Sequence, residues 1–428
     1  MPSTIITKNS STASAVPGSG SLTQGELAVN VTDKKLYTKD SGGSVVTLTD
    51  SMARQASSNV TITGGSITGI TDLAVADGGT GASTAANART NLSAAASGAN
   101  SDITSLTGLT TPLSQAQGGT GTTTGYYGFK NRIINGAMVI DQRGGTVTGN
   151  DSVYGLDRWK ASCVPDGKFT MQQSSTAPVG FINSMLVTST SAYSVASSDF
   201  IGIRQDIEGL NCTDLGWGTA DAKTVTLSFW VRSSLTGTFG GSIFNNAGNR
   251  SYPFSFTISS ANTFEQKSVT IAGDTTGTWL TTNGRGLCLF FNLGSGATNS
   301  GTTGAWAGTF YAAPTGATSV VGTSGATFYI TGVQLEVGST ATSFDYRPYG
   351  TEFALCQRYF YKTPDDKSFV VAASSYNSFQ FKVSMRASPT VTVTPVGGVA
   401  SDINANTEGF YCTNTALASA SVIASIEL

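Results

Sequence analysis

The chain has 428 residues with 24 Lys+Arg against 26 Asp+Glu, a net charge of −2, so no strong field favours nucleic acid or an anionic membrane. Only 12% of residues are charged, against about 25% in an ordinary soluble domain; Ser, Thr, Gly, Ala and Asn wet the surface instead. There is no histidine, which excludes Ser–His–Asp and Cys–His nucleophile activation and His-ligated zinc.

Cys163, Cys212, Cys288, Cys356 and Cys412 are scattered and show no C-x-x-C pair. They read as reduced, buried thiols folded in a cytoplasm. The opening residues carry no secretory signal, and no run is long enough to span a membrane. Release in a particle by lysis is a route that needs neither.

In chain order, residues 1–50 read as a small hairpin module. GELAVN (25–30), KKLYTKD (34–40) and SVVTL (44–48) alternate as strands, with Asp33 and Gly42-Gly43 at the turns. Of the 40 Phe, Tyr and Trp, only Tyr37 precedes residue 126. One copy is therefore too poor in core to fold alone, and three copies about an axis would solve that. Residues 51–125 contain a repeat: LAVADGGTGAST (73–84) returns as LSQAQGGTGTTT (113–124), at a period of 40. STAANARTNLSAAAS (83–97) between them reads as a short helix, capped by Ser83 or Thr84 and stopped at Gly98. Two readings fit this region. One is a flexible linker. The other is a thin trimeric shaft in which Val60, Ile62, Ile67, Ile70, Leu73, Leu92, Ile103, Leu106 and Leu109 meet across the axis. The spaced Ile and Leu and the repeat favour the shaft.

Residues 126–362 form the main domain. Runs such as FIGIRQDIEG (200–209), TVTLSFWVRSS (224–234), GLCLFFNLG (286–294) and FYITGVQLEVG (328–338) lie between Gly/Asn/Thr turns. Many strands without a helical period mean an all-β sandwich or jelly roll. Residues 363–428 read as a smaller β unit that needs partners, ending in a strand over 418–428.

Several passages resemble tail fibre and receptor-binding proteins of tailed bacteriophages. SLTQGELAVNVTDKKLYTKDSGGSVVTL (21–48) resembles a trimeric, β-prism-like attachment module of phage fibres and of the major tropism determinant. The GGTG repeats resemble fibre-shaft repeats. NRIINGAMVIDQRGG (131–145), VYGLDRWK (153–160), LSFWVRSS (227–234) and the stretch 328–362 resemble a tail-protein jelly roll similar to carbohydrate-binding modules. KVSMRASPTVTVT (382–394) with ASIEL (424–428) resembles a fibre C-terminus. The resemblance implies a mainly β, elongated homotrimeric fibre made in the host cytoplasm and carried on the virion. Its N-terminus would hold the tail, baseplate or an adaptor, and its distal half a host surface glycan or other receptor. It implies no enzymatic role, no cofactor, no nucleic acid and no membrane insertion. The alternatives are a depolymerase or esterase tailspike, an accessory cementing fibre without its own receptor, and a bacterial surface adhesin.

A sugar site pairs an exposed aromatic face with amides, hydroxyls and charges that bond its hydroxyls. Trp230, in an apolar strand, and Trp159 read as core; Trp279 is ambiguous. Trp217 (DLGWGTAD) and Trp306 (TTGAWAGTFY) lie in Gly-rich loops and are ligand candidates, with Asn245, Asn246, Asn249 and Arg250 of the polar turn GSIFNNAGNRSY. Asp206 and Glu208 share one strand face with Arg204. A carboxylate pair there could hydrolyse a glycoside, bind calcium, or simply pair with the arginine. Asp141 and Glu336 stand roughly where carbohydrate-binding jelly rolls often hold structural calcium, but no metal is assigned. GGTG lacks the Lys and the strand–loop–helix setting of a phosphate loop.

Overall fold

The computed structural model describes residues 7–49, 80, 82, 84–92, 94, 129–363, 369–371, 376–395, 399–414 and 418–428. The chain divides into two compact units, Met1–Gly108 and Leu109–Leu428. The GGTG repeats, apart from Thr80, and the proposed axial residues from Val60 to Leu73 and from Ile103 to Leu109 lie outside the described residues.

In the first unit, β1 (Lys8–Ser10), β2 (Leu27–Asn30), β3 (Lys35–Lys39) and β4 (Val45–Thr47) form one sheet in that order. β2, β3 and β4 are the three expected strands. β1 carries no apolar signal and joins β2 in parallel. The core is small: Leu22, Ala28 and Tyr37, with Val45 packed against them. Asn30 donates to the carbonyls of Thr12 and Ala15, both at 2.9 Å, and so holds the preceding loop on the sheet. The helix α1 spans Ala85–Asn91, where Thr84 accepts from the Asn87 amide. Of the two expected caps, Thr84 is the one used. The helix ends well before Gly98, and Leu92 is exposed.

The second unit contains a two-sheet antiparallel sandwich. Its strands are β5 (Val147–Thr148), β6 (Tyr154–Leu156), β7 (Trp159–Val164), β8 (Phe169–Ser174), β9 (Ser184–Ser189), β10 (Phe200–Glu208), β11 (Val225–Ser233), β12 (Gly237–Phe244), β13 (Ser251–Ile258), β14 (Glu265–Ile271) and β15 (Arg285–Ser295). After the short pair β16 (Ser300–Gly301) and β17 (Ala313–Pro314) comes β18 (Thr327–Val337). One sheet runs β13-β12-β15-β10-β7-β6, and the other β14-β11-β18-β9-β8-β5.

Alternation builds the core, because residues two apart share a face. Val225, Leu227, Phe229 and Val231 of β11 face Leu287, Leu289, Phe291 and Leu293 of β15 in one buried cluster with Trp159. Trp159 is therefore core, as read. Trp230 is not: it sits between two inward residues and turns to the other face, half-buried. Gly332 makes room there, since an added Cβ would lie 2.6 Å from Phe181 Cζ and 3.1 Å from Trp230 Cδ1.

The opening motif stitches the sandwich. Asn131 accepts from the Ile133 and Leu335 amides and donates to the Val333 carbonyl. Gln205 pairs with both backbone groups of Ile134, at 2.9 and 2.8 Å. A buried polar side chain thus stands in for a strand edge.

Asp157, in the β6–β7 turn, is almost wholly enclosed. Burial pushes its carboxyl up to about 6, although it accepts from the Gln142 amide and side chain at 2.7 and 2.6 Å. The protonated form suits the fold, so its stabilising effect is complete below the ordinary value of 3.8 and is lost as pH rises through about 6. Relative to Asp157→Asn, the native chain is expected to lose about 3 kcal/mol across that window. Denaturation midpoints at several pH values measure this, and parallel curves for the two proteins would contradict it.

A helix that the sequence reading missed, α2 (Tyr349–Gln357), leads from the sandwich into the C-terminal strands. These are β19 (Phe360–Lys362), β20 (Phe369–Val371), β21 (Asn377–Gln380), β22 (Thr390–Pro395), β23 (Ala400–Ala405), β24 (Gly409–Asn414) and β25 (Ala418–Ser425). β25 pairs with β19, β20 and β22, while β24 lies between β21 and β23. Tyr361, Phe381, Phe410, Cys412 and Val422 share a separate core. All five cysteines are free and buried, as the sequence suggested. No helix among the described residues is long and apolar enough to cross a membrane.

Candidate functional site

Four loops meet at one end of the sandwich: 209–224 between β10 and β11, the β12–β13 turn, 272–284 between β14 and β15, and the segment after β16. They carry Trp217, Asn245 to Arg250, Trp279 and Trp306. The structure thus brings the sequence candidates together, although they come from distant parts of the chain.

The three indoles meet edge-on. Ring centroids lie 4.8 Å apart for Trp217–Trp279, 5.3 Å for Trp217–Trp306 and 5.5 Å for Trp279–Trp306, each pair near 80°. Such edge-to-face pairs add to plain area burial. Tyr252 extends the group, 5.2 Å from Trp306. Every indole N–H is bonded: Trp217 to the Lys223 carbonyl, Trp306 to the Ala272 carbonyl, and Trp279 to Asp274 and the Thr276 carbonyl.

Asp274 is the hub that the sequence reading missed. It is 1% exposed. It accepts from Arg250 Nε and Nη2 at 2.7 and 2.6 Å, from the Thr276 amide and hydroxyl, and from Trp279 Nε1. Burial pushes its carboxyl up, but Arg250 and Thr276 outweigh that and hold it below the ordinary range. Its backbone carbonyl also takes the Gly218 amide at 2.7 Å, tying the two long loops. Two glycines are needed here. Gly218 and Gly277 adopt φ of +88° and +78°, and a Cβ on Gly277 would sit 2.5 Å from Arg250 Cγ.

The candidates divide by what they leave free. Trp217 is 7% exposed and forms the floor. Asn245 is fully buried: its amide donates to Asn249 and the Thr278 carbonyl and accepts from the Asn249 and Arg250 amides. These bonds fill an Asn side chain's capacity, so Asn245 shapes the turn. Asn246 and Asn249 are exposed; Arg250, Trp279 and Trp306 are half-buried. Arg285 donates to both the side chain and the carbonyl of Asn246. The result is a rigid rim of amide, guanidinium and indole edges above an aromatic floor. Such a surface can take a sugar ring against the indoles and its hydroxyls against the rim.

Asp206 and Glu208 do share one strand face with Arg204, but that face is buried. Asp206 contacts Lys160 at 2.8 Å, Arg204 at 3.0 Å and Arg285 at 3.9 Å. Glu208 accepts from Arg358 at 2.7 and 3.0 Å and from the Tyr359 hydroxyl at 2.7 Å. Burial opposes ionisation of both, yet Arg204 and Lys160 for Asp206, and Arg358 and Tyr359 for Glu208, hold them below the ordinary range. Neither is poised as a general acid at neutral pH. Burial raises every thiol, with Cys163 and Cys212 pushed up to about 12. Glu336 accepts from Thr342 and Gln334, and Asp141 from the Gly144 amide. Among the described residues no cluster of three or more His, Cys, Asp or Glu could hold a metal.

No family model matches the chain. A 57-residue stretch is 42% identical to the long tail fibre protein Gp37 of Enterobacteria phage T2, covering 13% of this chain and 4% of that protein. The chain therefore spans a small part of this relative's length. Among solved structures, a putative sugar-binding protein from Bacteroides thetaiotaomicron covers 49% of this chain and all of its own, at 13% identity and TM-score 0.30. The enzymatically active domain of bacteriophage CBA120 tailspike protein 4 covers 49% of this chain and 22% of its own, at 13% identity and TM-score 0.27. A family 11 carbohydrate-binding module of Clostridium thermocellum covers 47% and 98%, at 11% identity and TM-score 0.24.

Proposed function

We propose that the chain is a non-enzymatic, receptor-binding component of a phage tail fibre, which adsorbs to a bacterial surface glycan through the tryptophan-floored end of its sandwich. The observation that carries this reading is the 42% identity over 57 residues to a phage long tail fibre protein. The convergence of Trp279, Trp306, Asn249 and Arg250 on one rim supports the choice of site. The chain acts as a homotrimer, and its N-terminal module holds the tail or an adaptor. The slight core of that module, three buried side chains, supports assembly with further copies. A single weak sugar site then gains from three copies per fibre and several fibres per particle.

The test is binding of the purified full chain to host cells before and after periodate oxidation of surface glycans. Binding is expected and is lost on oxidation. Binding that survives oxidation would replace the glycan with a protein receptor, and no binding would favour a cementing fibre. Light scattering is expected to give three times the 43.9 kDa chain mass; a monomer would remove the avidity argument.

A further inference from the structure

The four-stranded sheet of the first unit has two apolar faces, and its own core closes only one. Ala28 pairs with Tyr37, and Leu22 packs on both from the side of that shared face. Residues one step along each strand point the other way. There Leu27 pairs with Thr38 and Thr38 with Val46, Val29 pairs with Leu36, and the Leu48 amide reaches the Leu36 carbonyl. The second face is thus Leu27, Val29, Leu36, Val46 and Leu48 around Thr38. Leu27 is 39% and Leu48 52% exposed, and the other three aliphatics are half-buried.

Charge shows which face is built for water. Lys8 pairs with Ala28, Lys35 with Asn30 and Lys39 with Val45, so all three charged residues of these strands lie on the face that carries the core. The second face has none. A sheet solvated on one side puts its polar residues on that side; here the open side is the aliphatic one. Its occupant must be at hand whenever the module folds, because three buried side chains do not hold a domain alone. Another copy of the same chain always meets that condition. A face without charge meets its own copy with no like-charge repulsion, and apolar surface of this kind belongs to permanent interfaces. We infer that the face of Leu27, Val29, Leu36, Val46 and Leu48 is where copies of this chain pack against one another and share one apolar core. The inference rests on the homotrimer reading above and adds the surface that makes the trimer.

The test places a thiol on each face of the full chain and treats it with a short bismaleimide. All five native cysteines are buried, so the native chain sets the unlinked baseline. Leu36→Cys, at the centre of the aliphatic face, is expected to link copies to one another, and Lys35→Cys, on the opposite face, is not. Light scattering on Val29→Lys is expected to show the mass falling to that of one chain at a concentration where the native chain and Lys35→Glu stay assembled. The cross-link keeps the test usable if Val29→Lys unfolds the module, because Leu36→Cys adds no charge. A native chain of trimer mass in which Leu36→Cys links no copies, or in which Lys35→Cys links them as well as Leu36→Cys does, would overturn the inference and leave the homotrimer reading intact. Dimer mass with efficient Leu36→Cys linking would keep the face and overturn the threefold count, and monomer mass without linking would overturn both. Linking of Leu36→Cys to another tail protein in assembled particles, with none between copies, would give the face to an attachment partner and overturn the inference.

Discussion

Asp274→Ala is expected to lower stability by about 3 kcal/mol and to abolish measurable cell binding through the tryptophan end. The carboxylate takes five donors from Arg250, Thr276 and Trp279. Removing one partner of a buried pair leaves the other charge uncompensated, at a cost of about 3–5 kcal/mol. Arg250 keeps some solvent contact, so the lower end applies. For a sandwich of this size the loss corresponds to about 6–12 °C in melting temperature. Asp274→Asn retains an acceptor and is expected to lose less. Binding suffers because Asp274 fixes Trp279 and Arg250 relative to each other, and a loosened rim must be ordered at the moment of binding. Thermal melts read the first effect and cell binding below the melting range reads the second. A variant that melts early yet binds normally would separate the hub from the ligand surface.

The sandwich was legible because β11 and β15 alternate, and alternation reports which face is buried. The same rule misplaced Trp230 only where it was set aside for the apolar look of LSFWVRS; its parity with Thr226 and Ser228 already put it on the outer face. The shared face of Arg204, Asp206 and Glu208 was readable by parity. That this face would be buried was not, because its cover comes from distant parts of the chain: Lys160 and Arg285 on Asp206, and Arg358 and Tyr359, 150 and 151 positions later, on Glu208. α2 was missed because Pro348 and a nine-residue length gave little helical period in an otherwise β-rich chain. β1 was missed because KNS has no apolar residue; backbone pairing with β2 and the Lys8–Glu26 ion pair hold it.

The site was legible in its parts and not in its hub. Loop tryptophans in Gly-rich settings and an Asn-rich turn carry composition signals. Asp274 sits 24 residues from Arg250 in sequence, and nothing in GDTTGTW names its partner beyond a local turn. Asn245 shows the opposite error. Its residue type suits a ligand contact, but the tight β12–β13 turn consumes all of its bonding capacity.

The ion pairs around Asp206 and Glu427 show the same limit. Their charges come from separate elements, so no run of Lys or Arg marks them, and Glu427 lies in a tail that the sequence alone reads as one more strand. β25 ends at Ser425. Beyond it the Ile426 amide donates to the Tyr359 carbonyl at 2.9 Å, and Arg386 donates to the Ile426 and Glu427 carbonyls at 2.8 and 3.1 Å. This is how the C-terminal strands are fixed to the sandwich.

Glu427→Gln is therefore expected to cost about 3–5 kcal/mol. Glu427 accepts from Arg143 and Arg158, and Arg158 has nowhere to hydrate. Arg158 adopts φ of +70°, a backbone conformation that a non-glycine residue keeps only when its surroundings enforce it. The glutamine retains one acceptor and loses the charge, leaving two guanidinium groups against a neutral amide. Arg158 still donates to the Asp206 carbonyl at 2.5 Å, so the sandwich itself holds. The loss falls on the contact between the C-terminal strands and the β6–β7 edge. Limited proteolysis is expected to cut the variant first beyond residue 363 while the sandwich stays protected, and denaturation is expected to split into two steps. A single step at an unchanged midpoint would show that the apolar cluster of Ile134, Ile140, Cys356 and Tyr359 holds the junction without the ion pairs.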